Sequence, residues 1–174
     1  RKGVTQTGQE VTAIVTENIA RGDTSVCRMA RIACADVVPV DIGVARQVDI
    51  PAIGQRNIRR GTADITEEPA MTREEAFLGI ETGIEMVRLI KEQGVRLVAA
   101  GEMGIGNTTT SSAVTAVLTG RPIEEVTGRG AGLSLEGLSR KFNAVHRAIE
   151  ANAPDASDAL DVLHKVGGLD IAGI

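Results

Sequence analysis

Gly101-Glu102-Met103-Gly104-Ile105-Gly106-Asn107-Thr108-Thr109-Thr110 is the stretch whose reading decides the fold of this chain. Before it lies Val95-Arg96-Leu97-Val98-Ala99-Ala100, apolar but for Arg96, which reads as a buried strand. After it, residues 111–118 are small and apolar and read as a helix. Strand, glycine turn and helix together make an anion site. The first helical turn has N–H groups without intrahelical partners, and the peptide dipoles aim positive charge outward. Glycines let the backbone come close to a phosphate. The dipole contributes only about 0.3–1 kcal/mol at an exposed site, so hydrogen bonds must supply the rest.

Two phosphate-loop patterns lie close, and neither fits. Gly101-x-x-x-x-Gly106-Asn107-Thr108 has the Walker spacing, but Asn107 stands where the lysine for the outer phosphates belongs, which argues against nucleoside-triphosphate hydrolysis. Gly104-x-Gly106-x-x-Thr109 approximates a dinucleotide fingerprint with threonine for the third glycine. No acidic residue about 20 positions on ends an obvious strand. By spacing alone, a plain strand-to-helix connection remains open beside a phosphate loop.

Composition narrows the classes. The chain has 174 residues, 43% hydrophobic and 24% charged, the balance of a soluble globular protein and enough for one domain with a core. It has no run of 18 apolar residues, so no membrane span is expected, and no signal-peptide pattern at Arg1-Lys2-Gly3-Val4-Thr5. It lacks Trp and Tyr, and its net charge is -4. Both facts argue against a nucleic-acid partner, which needs stacking platforms and a basic footprint. Cys27 and Cys34 would share a helical face as reduced core thiols, which fits a cytoplasmic home; a zinc site needs more ligands. No metal or other cofactor is expected.

In chain order, residues 10–20 carry a helical apolar stripe ended by Gly22, and Asp23 or Thr24 can cap a helix through Ala33. Residues 37–42 read as a strand with Asp41 near its end, although Pro39 removes a ladder donor. Residues 46–70 form a long polar loop of the kind that is usually functional or mobile. Thr72-x-x-Glu75 is a capping box opening a helix to about Gln93, with Ala76, Ile80, Ile84, Val87 and Ile90 as its apolar face. Gly120 ends the helix after the glycine loop, and Pro122 suits the first turn of a short one. A second glycine segment, Thr127-Gly128-Arg129-Gly130-Ala131-Gly132-Leu133, precedes a helix capped by Ser134 that runs to about Ala151. Ser157 can cap another through Lys165, and Gly168 to Ile174 resembles the first turns of a further one. The alternation predicts an α/β fold with a parallel sheet flanked by helices. Only two strands are convincing, so the sheet is expected to be incomplete in this chain.

The decisive stretch, quoted from Gly101 to Thr109, resembles the signature of the nicotinate-nucleotide–dimethylbenzimidazole phosphoribosyltransferase family. Further segments agree in order: Gln9-Glu10-Val11-Thr12, Val40-Asp41-Ile42-Gly43-Val44-Ala45, Arg60-Gly61-Thr62-Ala63, Pro69-Ala70-Met71-Thr72 and Thr127-Gly128-Arg129-Gly130. The resemblance runs through the whole chain and implies a Rossmann-like large domain, of which residues 1–174 would be a part, working as a homodimer. It implies transfer of phosphoribose from nicotinate mononucleotide to 5,6-dimethylbenzimidazole, giving α-ribazole 5′-phosphate and nicotinate in cobalamin assembly. The chain departs from the family at its start, where only Gly3-Val4 remain of Gly-Asp-His-Gly-Val. It also ends before the Leu-Gly-Glu-Gly segment that carries the family's catalytic glutamate. A fragment is therefore expected, with no general base assignable within it. A non-catalytic phosphate- or partner-binding module is the competing class, and turnover separates the two.

Candidate roles follow. Gly104, Ile105, Gly106, Asn107 and Thr108 are candidates for the 5′-phosphate, through backbone N–H groups and the Thr108 hydroxyl. Gly128, Arg129 and Gly130 are candidates to close over its other side. Lys141 reads as a countercharge or as a solvated helix lysine, and Arg129 has the same two readings. Glu102 either meets ribose hydroxyls and developing positive charge or orders the loop through N–H bonds. Asp41 stands where α/β sites gather, or is structural. For Gln9 the resemblance implies the benzimidazole pocket, where pattern alone gives a neighbour of a helix N-cap. His146 and His164 read as surface or core residues.

Overall fold

In a computed structural model the chain is described for residues 3–51 and 53–174. Arg1 and Lys2, where the family pattern is broken, lie outside the described residues, as does Ala52 in the long polar loop. The described residues form α1 (Glu10–Arg21), α2 (Ser25–Ile32), β1 (Val40–Asp41), β2 (Gly54–Gln55), α3 (Arg73–Glu92), α4 (Asn107–Thr119), α5 (Ile123–Val126), α6 (Leu135–Asn152), α7 (Ala159–Val166) and α8 (Leu169–Gly173). The architecture is α/β, mostly helical, with one small parallel sheet.

Helix boundaries follow local chemistry. Thr72 and Glu75 make both bonds of the capping box that opens α3. Ser134 accepts the Gly137 N–H at the start of α6. At α7 the cap is Asp158, not Ser157: the Asp158 carboxylate accepts the Leu160 and Asp161 N–H groups, while Ser157 is held by Asp155. Helix α4 begins at Asn107, four residues before the apolar run suggests, because Gly106 takes a left-handed conformation (φ 97°) that lets the helix start directly from the loop.

The strands are shorter than expected. Of residues 37–42 only Val40 and Asp41 pair, in register with Gly54 and Gln55. Pro39 joins as an acceptor alone, its carbonyl taking the Gly54 N–H at 2.9 Å, so its missing donor costs nothing there. Residues 95–100 enter no ladder among the described residues, and Leu97 is 89% exposed. An apolar run can specify a strand, but a ladder needs a second chain segment beside it. Cys34 is also corrected: α2 ends at Ile32, and the thiol is exposed while Cys27 is buried.

The main core gathers α3, α4, α6, α7 and α8 around Ala76, Ala113, Val145, Ala148, Val162, Val166 and Leu169. A smaller cluster of Ala13, Val48 and Ile53 ties α1 to the polar loop. Helices α3 and α8 meet almost backbone to backbone. A Cβ on Gly79 would lie 2.7 Å from that of Ala172, and one on Gly83 would overlap the Gly173 carbonyl oxygen. The core thus sets α4 and α6 side by side, and between their N-terminal halves lies the region of both glycine segments.

Candidate functional site

Buried positions on α6 are Gly137, Lys141, Ala144, Val145, Ala148 and Asn152, a single helical stripe. Lys141 stands on that stripe and is only 1% exposed, so it is no solvated helix lysine. Its Nζ donates to Thr108 Oγ1 at 2.8 Å and to the Gly128 carbonyl at 3.0 Å. One bond reaches the first turn of α4 and the other the second glycine segment. Neither partner carries a charge. Burial holds the ammonium below the ordinary lysine range.

Around these contacts lies an open cavity of about 250 Å³, lined by Thr108, Ser111, Ser112, Thr115, Val126, Gly128, Gly130 and Lys141. The second glycine segment is pressed against α4: a Cβ on Gly130 would stand 2.7 Å from Thr108 Oγ1. Arg129, between the lining Gly128 and Gly130, is exposed. Just before it, Thr127 is 7% exposed, and its hydroxyl has no partner among the described residues.

The first glycine loop is held from inside. Ile105 N–H donates to Thr12 Oγ1 of α1 at 3.1 Å, Asn107 N–H to the Gly104 carbonyl at 3.1 Å, and Thr108 N–H to Asn107 Oδ1 at 2.7 Å. The Asn107 Nδ2 donates to the Glu102 carboxylate. Three of the N–H groups expected to face a phosphate therefore have partners within the protein. Gly104 does not adopt a positive φ, and its nearest neighbours across the loop are Asn107 and Asp170 of α8.

Other candidates separate from this cluster. The buried Asp41 carboxylate accepts from Gly43 N–H, Val44 N–H and Asn57 Nδ2 through one oxygen, a structural role that pins two turns. Gln9 is exposed at the N-cap of α1, its Nε2 3.8 Å from where a Gly61 Cβ would lie. His146 pairs with Glu124 on the surface, and His164 lies between the Met71 carbonyl and Asp161. Sequence reasoning passed over Thr12, Thr127 and Ser112. Thr12 belongs to a quoted family segment, and the α6 stripe itself signals the burial of Lys141.

Fold and site together define an α/β protein with a buried cationic group set against the first turn of a helix. The chain belongs to the phosphoribosyltransferase family whose profile matches residues 1–174. It is 50% identical over 173 residues to the nicotinate-nucleotide–dimethylbenzimidazole phosphoribosyltransferase of Ruminiclostridium cellulolyticum, covering 99% of this chain and 49% of that protein. The enzyme of the same name from Acetivibrio thermocellus is 49% identical, with 99% and 49% covered. The crystal structure of CobT from Thermus thermophilus superposes with a TM-score of 0.93 at 41% identity, covering 99% of this chain and 52% of that one. The chain spans about half the length of the relatives it matches.

Proposed function

We propose that this chain serves the transfer of phosphoribose from nicotinate mononucleotide to 5,6-dimethylbenzimidazole, giving α-ribazole 5′-phosphate and nicotinate for the lower ligand of cobalamin. The observation that carries the reading is Lys141, a buried ammonium with two uncharged partners beside a helix N-terminus and an open cavity lined in part by Thr and Ser hydroxyls. A buried charge without a countercharge is costly. A phosphomonoester would supply that countercharge, and the relatives' names supply the substrates.

In the reaction the bond from ribose C1′ to the cationic pyridine nitrogen breaks, and its electron pair leaves with nicotinate. The lone pair of an imidazole nitrogen of the acceptor forms the new bond to C1′. The proton on the acceptor's other nitrogen passes to a base. The leaving nitrogen is already cationic, so positioning and electrostatics carry most of the rate. Lys141, the Thr108 hydroxyl and Gly128–Gly130 hold the 5′-phosphate. Glu102, at the other end of the loop, faces the ribose and the positive charge that develops at C1′. Gln9 lines the acceptor side, residues 1–174 form part of the large domain, and the working state is a cytoplasmic homodimer.

Calorimetric titration with nicotinate mononucleotide tests this. Lys141→Ala should weaken binding about 10- to 100-fold, the worth of a hydrogen bond to a charged group. Unchanged affinity would defeat the assignment. Nicotinate release with dimethylbenzimidazole present then separates an enzyme from a module that binds the mononucleotide without turnover.

A further inference from the structure

Asn107 is held at both ends of its carboxamide. Oδ1 accepts the Thr108 N–H at 2.7 Å, and Nδ2 donates to the Glu102 carboxylate. Thr108 is also the residue whose hydroxyl receives the buried Lys141 ammonium. An amide oxygen therefore sits on an N–H of the α4 first turn, on the same residue whose hydroxyl the cationic group holds. It is a weaker acceptor there than a phosphate oxygen, because charge-assisted hydrogen bonds are about twice as strong as neutral ones. The carboxamide is planar, with its oxygen and NH₂ fixed on one carbon. It cannot leave Thr108 without also turning away from Glu102.

We propose that Asn107 is a positioning residue that couples phosphate binding to the release of Glu102, an inference that rests on the phosphate reading of the Lys141 cavity. A phosphate oxygen displaces the Asn107 carbonyl from the Thr108 N–H. The carboxamide swings out, and the Glu102 carboxylate is freed to face the sugar. A riboside without the phosphate leaves Glu102 tied to Asn107. The device thus selects phosphorylated ribosides twice, once by affinity and once by arming the carboxylate.

The test is a double-mutant cycle on the full 174-residue chain, titrated calorimetrically with inorganic phosphate. Asn107→Ala should tighten phosphate about fivefold, because one net hydrogen bond no longer has to be displaced. Glu102→Ala should also tighten it in the parent, by loosening Asn107, and should add little once Asn107 is gone. An equal gain from Glu102→Ala in both backgrounds would mean that the carboxylate acts through its field alone, and would overturn the coupling. Weaker phosphate binding by Asn107→Ala would make Asn107 a ligand and overturn it too. Asn107→Ser, a residue at home near a helix start, repeats the cycle if the alanine variant loses its helical circular dichroism. Lys141→Ala is the control for the underlying reading. If it binds phosphate as the parent does, the cavity assignment fails whatever the cycle gives; if the parent binds no phosphate, both ideas fall.

Discussion

Gly104 and Gly106 look alike in sequence, and their backbones set them apart. Gly106 lies at φ 97° as the N-cap of α4, while Gly104 is outside the left-handed region and a Cβ there would meet nothing nearer than 3.9 Å. An L-residue at a left-handed position costs about 1–2 kcal/mol. Gly106→Ala should lower stability by about that amount, and Gly104→Ala should not, as urea unfolding followed by circular dichroism would read. Equal losses would show that both positions are conformationally special. The glycine spacing was legible in the sequence because glycine is chosen for its backbone. Lys141 was less so. Its charge suggests water, and only its place on the buried stripe of α6 says otherwise. The bonds of Thr12 to Ile105 and of Asn107 to Glu102 depend on loop conformation, which no periodicity encodes.

At the scale of elements, helices were legible and strands were not. A helix carries its own signals, such as the capping box at Thr72 and the serine cap at α6. A ladder depends on a distant segment, so residues 95–100 have strand character without a pairing among the described residues. Helix α7 is anchored in the core by Val162 and Val166, and its first turns are held electrostatically. Asp161 accepts the Asp155 N–H at 2.8 Å and pairs with Lys165 at 2.9 Å, and these contacts hold its carboxyl down at about 2. A carboxylate depressed in the folded state contributes stability above its unfolded value, and that stability goes as the pH falls through its folded value. The urea midpoint should therefore drop between about pH 4 and pH 2. Asp161→Asn should flatten that part of the profile. A parent midpoint level across this window would remove Asp161 from the account of acid sensitivity.

The whole molecule carries much uncovered apolar surface. Ile84 and Val87, expected on the buried face of α3, are 46% and 53% exposed, and Phe77, Leu78, Val95, Leu97 and Val98 are exposed too. Patches of this kind mark association surfaces, and unpaired apolar segments invite pairing with another chain. Sedimentation velocity over a range of concentrations should show reversible self-association; a single monomer boundary throughout would count against it. The joint between α3 and α8 behaves differently. Gly79 and Gly83 bring one helix against Ala172 and Gly173 of the other, so at these two positions the contact is backbone and a methyl group, with nothing that titrates. Acid loosens the carboxylate cluster at the start of α7, and salt screens it, but neither acts on glycine packed against backbone. As the pH falls, the cap at the start of α7 therefore slackens first, while Val162 and Val166 keep the helix in the core and the bare-backbone crossing of α3 and α8 keeps its grip on the chain.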